Sequence, residues 1–146
     1  MGTLHHTSSL SKEREQVERI LDMVGLGHVG DSLGRSLSIG DRKRLELAKV
    51  LATRPRVVLL DEVLGSLIPA EVASILDLLR KLRHEGLAIV LIEHNMSALM
   101  TVSDRILVVN QGREICRGVP SEVSRDPGVL EAHLGKDFAS VEAKTC

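Results

Sequence analysis

Two acids, Asp61 and Glu62, follow directly on the aliphatic run Val57-Val58-Leu59-Leu60. A short apolar run, half of it β-branched, suits a strand buried on both faces of a parallel sheet. Acids at its end would then stand at the carboxyl edge, where open α/β folds gather their ligands. Successive residues diverge there, so the two carboxylates can take different tasks. Asp61 could hold a hydrated Mg²⁺, which accepts one or two carboxylates alongside phosphate oxygens, and Glu62 could orient and deprotonate a water. The plain alternative is a strand that ends in two solvated acids.

Upstream, Leu37-Ser38-Ile39-Gly40-Asp41 opens onto a basic helical pattern. A helix N-terminus presents unpaired N–H groups and a positive dipole end to an anion, to which Ser38 adds a hydroxyl donor and Gly40 a close backbone approach. An ordinary Ser38 cap with nothing bound would have the same sequence. Downstream, His94 follows a second buried-strand pattern, from Leu87 to Ile92, where an imidazole could face the same crevice as the acids. A solvated turn histidine is the bland reading. The remaining histidines, His5, His6, His28, His84 and His133, have no metal-ligand spacing.

These residues need elements to position them. Val17, Ile20, Leu21 and Val24 recur at helical spacing until Gly25, which suits a left-handed cap. A glycine-rich stretch leads to a second helix from about Gly40, with Leu45, Ala48 and Ala52 on its apolar face, ending at Arg54-Pro55. Pro69 can open a third helix, whose buried stripe is Val72, Ile75, Leu76, Leu79 and Leu82 and whose end is Gly86. Strand, helix and strand make one βαβ unit. A hairpin follows, Ile106 to Val109 and Glu114 to Arg117, with Asn110-Gln111-Gly112 as a three-residue loop. Short helices near Pro120 and Pro127 complete one domain over 1–135, and 136–146 is expected to be a loose tail.

Composition narrows the function classes. The 146 residues hold 19 Lys plus Arg against 20 Asp plus Glu, a balance that argues against the basic field of a nucleic-acid binder. Phe138 is the only aromatic, so base stacking is disfavoured as well. The block Arg42-Lys43-Arg44 is expected to be a solvated helix face. Cys116 and Cys146 lack the spacing of a zinc site or disulfide framework, which fits a reducing, cytosolic compartment. No apolar run reaches the roughly 20 residues of a membrane span, so membrane association is expected to be peripheral.

The order and spacing of the three chemical elements resemble those of the ATP-binding-cassette ATPases. Ser38-Ile39-Gly40 stands for the signature loop, the strand ending at Asp61-Glu62 for Walker B, and His94 for the switch histidine. The resemblance implies part of the P-loop NTPase-like fold, with ATP and Mg²⁺ as cofactors. Asp61 would serve as the metal ligand, Glu62 and His94 as catalytic groups, and Ser38, Ile39, Gly40 and Asp41 as nucleotide contacts. It further implies a head-to-tail dimer with a second cassette, in which the signature loop caps ATP held by the partner, and docking to membrane permease subunits. Leu91-Ile92-Glu93-His94-Asn95-Met96, Ser103-Asp104-Arg105-Ile106, Gln111-Gly112-Arg113 and the stretch from Asp126 to Gly135 look most like ATPase subunits for branched-chain amino-acid uptake.

The chain contains no G-x-x-x-x-G-K-S/T loop, the family's main phosphate cradle; its only Gly-Lys pair, Gly135-Lys136, has Leu130 and Asp137 at the other diagnostic positions. The signature half could instead complement a separate P-loop-bearing chain. In the family the P-loop strand lies between the strand ending near Ile92 and the hairpin strand from Ile106, so open strand edges are expected here. Ile39, Asp41, Val63, Ile68 and Asn95 depart from the family pattern. They leave a non-catalytic interaction module or a degenerate fragment as the second reading.

Overall fold

The computed structural model describes the backbone of residues 4–134 and the side chains of residues 10–132, so the expected tail at 136–146 lies outside the described residues. The chain divides into two compact units, one running to Ile92 and one beginning at Glu93.

In the first unit, α1 (Leu4–Met23) begins well before the apolar spacing that marks it in the sequence. It ends where Gly25 takes a φ of +78°, the left-handed conformation open to glycine without steric cost. Two 3₁₀ turns, Gly27–Val29 and Gly34–Ser36, carry the glycine-rich stretch to α2 (Ile39–Ala52). Strand β1 (Val57–Asp61), helix α3 (Pro69–His84) and strand β2 (Ala88–Ile92) follow, and β1 and β2 pair in parallel from Val57↔Ala88 to Asp61↔Ile92. This is the βαβ unit that the apolar patterns demand. The α3 stripe buries Ile75, Leu76, Leu79 and Leu82 as expected, with Leu78 in addition, while Val72 is only half-buried. On α2 the buried residues are Gly40, Leu47 and Ala48 rather than Ala52.

The expectation that both faces of these strands are buried holds for one face only. Val58 and Leu60 are buried, whereas Leu59 is 72% exposed, and its parallel neighbour Val90 is 50% exposed. Side chains alternate across a strand, so Val57, Leu59, Val90 and Ile92 form one apolar face that the described residues leave in solvent.

The second unit contains α4 (Met96–Val102), β3 (Ile106–Asn110), β4 (Arg113–Gly118), α5 (Pro120–Val123) and α6 (Pro127–Leu134) around Ala98, Leu99, Ile106, Val123 and Val129. Strands β3 and β4 form an antiparallel hairpin with a bulge at Val108/Val109. Asn110 pairs with Arg113, so the turn has two residues, not the expected three. Gln111 and Gly112 both adopt positive φ, +48° and +76°, the mirror-image turn whose twist matches that of the flanking strands. The four described strands make two two-stranded sheets, β1 with β2 and β3 with β4.

Candidate functional site

Ser38 caps α2, as the sequence suggests. Its Oγ accepts the Asp41 N–H at 3.0 Å, satisfying one of the helix's free amides. The same hydroxyl donates its proton to Asp41 Oδ2 at 2.9 Å. Asp41 therefore does two things at this helix mouth: it brings a negative charge to the positive end of the dipole, and it engages the hydroxyl proton of Ser38. Gly40 is buried, and a Cβ built on it would lie 2.5 Å from Glu71 Oε1, so the missing side chain lets α2 approach the start of α3.

Asp61 closes the β1–β2 register, and Glu62 leaves the strand with its N–H donating to the Ile92 carbonyl at 2.9 Å. Glu62 has a φ of +46°, a left-handed conformation that costs a residue with a Cβ about 1 kcal/mol or more. Both acids are exposed. The hard oxygen of Asp61 suits Mg²⁺, and among the described residues no group of three His, Cys, Asp or Glu forms an all-protein cage. A single carboxylate completed by water and phosphate oxygens is the arrangement Mg²⁺ favours.

His94 is exposed and belongs to the second unit, two residues beyond the end of β2. It lines an open groove of about 270 Å³ with Glu93, Met96, Leu99, Ile106 and Asn110 among its walls. The next residue, Asn95, caps α4 by accepting the Ala98 N–H at 3.0 Å. The first unit thus holds Ser38, Ile39, Gly40, Asp41, Asp61 and Glu62, and the second holds His94.

Three further residues, Lys43, Arg44 and Glu71, matter here. The block Arg42-Lys43-Arg44 is not a uniformly solvated face, because Lys43 and Arg44 are half-buried. Lys43 Nζ donates to the main-chain carbonyl of Glu62 at 3.3 Å. Arg44 donates through Nη1 to the Val24 carbonyl at 2.6 Å and through Nη2 to Ser74 Oγ, joining the end of α1, α2 and α3. Glu71 is the third: its Oε2 accepts the Ile68 N–H at 3.1 Å, the reciprocal half of a capping box whose other half Ile68 cannot supply. Only Glu71 left a signal in the sequence, an acid three residues past the position that precedes the helix-opening Pro69; the partners of Lys43 and Arg44 are 19 to 30 positions away.

A family model described as ABC transporter matches residues 2–65. The lipopolysaccharide export system ATP-binding protein LptB of Escherichia coli K12 is 34% identical over 140 residues, covering 94% of this chain and 58% of that protein. The high-affinity branched-chain amino acid transport ATP-binding protein LivG of Salmonella typhimurium is 39% identical over 117 residues, covering 80% and 46%. The chain spans about half the length of the curated relatives it matches. The solved ADP conformation of an ATP-binding cassette of an ABC transporter superposes with a TM-score of 0.78 at 26% identity, over 86% of this chain and 51% of that one.

Proposed function

Since the chain belongs to the ATP-binding subunits of ABC transporters and spans about half of one, we propose that it supplies the signature, Walker B and switch-histidine share of a composite ATP site. In this reading Asp61 holds Mg²⁺, which neutralises the phosphate charge when bound. Glu62 orients the attacking water and takes its proton, and His94 contacts the terminal phosphate. Ser38, Ile39, Gly40 and Asp41 cap the ATP of an opposing cassette, with amides at the helix mouth as donors. The left-handed exit of Glu62 from β1 carries this reading, because strain of that kind collects at functional positions.

The P-loop comes from another polypeptide or from sequence outside this chain. Losing about four charge-assisted phosphate bonds at about 1.5 kcal/mol each forfeits about 6 kcal/mol, on the order of 10⁴ in dissociation constant. The chain by itself therefore binds ATP weakly and turns it over negligibly. It works at the cytoplasmic face of the membrane through permease subunits, and no described helix is long and apolar enough to span a bilayer. Branched-chain amino acids are the proposed solute, on the resemblance of the stretches around His94 and Asp126. LptB and LivG are named for different cargoes, so the solute rests on those residues alone.

Ser38 donating to Asp41, together with Ile68 at the start of α3, favours a second reading, a non-catalytic module that offers its signature face to another cassette. Mixing the chain with a P-loop-bearing polypeptide and Mg-ATP separates the two. Turnover that Glu62→Gln abolishes supports the catalytic reading; binding without turnover supports the module; turnover by the purified chain alone would overturn the claim that it is incomplete.

A further inference from the structure

Glu62 is held in a left-handed backbone conformation with a φ of +46°, although it carries a Cβ and glutamate is not among the residue types enriched in that region. Such a conformation persists only where the surroundings over-determine it. The two peptide planes on either side of the Glu62 Cα are both pinned. On one side the Glu62 N–H donates to the Ile92 carbonyl at 2.9 Å, a continuation of the β1–β2 ladder. On the other side the Glu62 carbonyl accepts from the Gly65 N–H at 3.4 Å and from Lys43 Nζ at 3.3 Å. The Gly65 bond is local and long. Lys43 makes a tertiary contribution on this side, an ammonium from the second turn of α2 reaching 19 residues along the chain.

From this geometry we infer that Lys43 is a positioning residue for Glu62: by holding the Glu62 carbonyl it fixes the peptide plane that directs the carboxylate off the line of the strand. The inference rests on the assignment of Glu62 as the water-activating base. Lys43 stands on the same helix that Ser38 caps, so the helix mouth and the acid share one mechanical link within the first unit. Arg44, the next residue, anchors that helix to the Val24 carbonyl and Ser74.

The test uses isotope-labelled full chain as wild type, Lys43→Met, Lys43→Arg and Arg42→Met, the last a charge control on an exposed neighbour. The HN–Hα coupling and ¹³Cα shift of Glu62 report its φ, and amide exchange at Glu62 and at Leu79 reports local and core opening. In Lys43→Met the Glu62 amide should exchange about tenfold faster, the factor expected for one charge-assisted hydrogen bond. Its φ markers should leave the left-handed range while Leu79 is unchanged. Lys43→Arg should retain the wild-type pattern, and Arg42→Met should match wild type. Unchanged Glu62 markers in Lys43→Met, an equal change at Leu79, or the same change in Arg42→Met would overturn the inference. In the complementation mixture Lys43→Met should lower kcat with KM held, whereas Glu62→Gln decides the catalytic assignment itself. Absence of turnover in that mixture defeats the assignment and leaves the exchange result to decide the role of Lys43.

Discussion

Replacing Arg44 with Ala should destabilise the first unit by about 2–3 kcal/mol, the sum of a charge-assisted bond to a buried carbonyl and a weaker bond to a hydroxyl. Val24 is fully buried, so its carbonyl has little access to water once the guanidinium is gone and bears most of the cost. Ser74 lies on the other side of the fork, and Ser74→Ala should cost only about 0.5–1 kcal/mol. Because both losses pass through Arg44, the double variant should be no less stable than Arg44→Ala alone, a non-additivity of the kind contacting residues show. Arg44→Lys keeps a charge but not the fork, and should fall between wild type and Ala. Urea denaturation followed by far-ultraviolet circular dichroism measures all four, since the chain has no Trp or Tyr for fluorescence. A cost below about 0.5 kcal/mol for Arg44→Ala, within the range of ordinary surface substitutions, would refute the three-helix brace. So would fully additive costs in the double variant.

Ile68→Ser completes the capping box that Glu71 already half forms, and should be about 1 kcal/mol more stable than Ile68→Ala in the same denaturation assay. The Ala variant is the reference because it removes the same partly exposed apolar side chain. Gly40→Ala should cost about 1 kcal/mol in the wild-type background, where the new methyl displaces Glu71 from its bond to the Ile68 N–H. In a Glu71→Ala background it should be neutral or stabilising by up to about 1 kcal/mol, as helix propensity then acts unopposed; equal costs in both backgrounds would dissociate Gly40 from Glu71. At Cys116, partial burial and the nearby carboxylates of Asp126 and Glu122 push the thiol pKa up. The neutral thiol therefore dominates at pH 7, and alkylation of Cys116 followed by peptide mapping should be slower than for a free cysteine and accelerate only in alkaline solution. Since the folded-state pKa lies above the unfolded one, this group's contribution to stability is complete below the unfolded thiol pKa and is lost as pH rises through the folded value.

The amino-acid sequence by itself determined the βαβ unit, the hairpin, the strand-end position of Asp61 and Glu62, and the Ser38 cap. Each of these depends on residues close together in the chain: apolar spacing at a period of two or 3.6, a proline or glycine at a helix end, a hydroxyl three positions before the amide it accepts. The hairpin turn differs by one residue because its length is set by strand register and twist, which composition does not encode directly.

What the tertiary structure alone decided are the contacts between distant residues and the competition among local ones. Lys43 and Arg44 have the composition of a solvated stripe, and only the placement of α2 beside the exit of β1 and the end of α1 brings the Glu62 and Val24 carbonyls within reach. Both Asp41 and a bound anion could satisfy the Ser38 hydroxyl as far as the sequence goes; the folded helix mouth gives its proton to Asp41. Whether an aliphatic strand is covered on one face or two depends on which elements reach it, and Leu59 and Val90 show that the described residues cover only one. Local periodicity specifies which side chains share a face. What meets that face is set by the three-dimensional path of the chain.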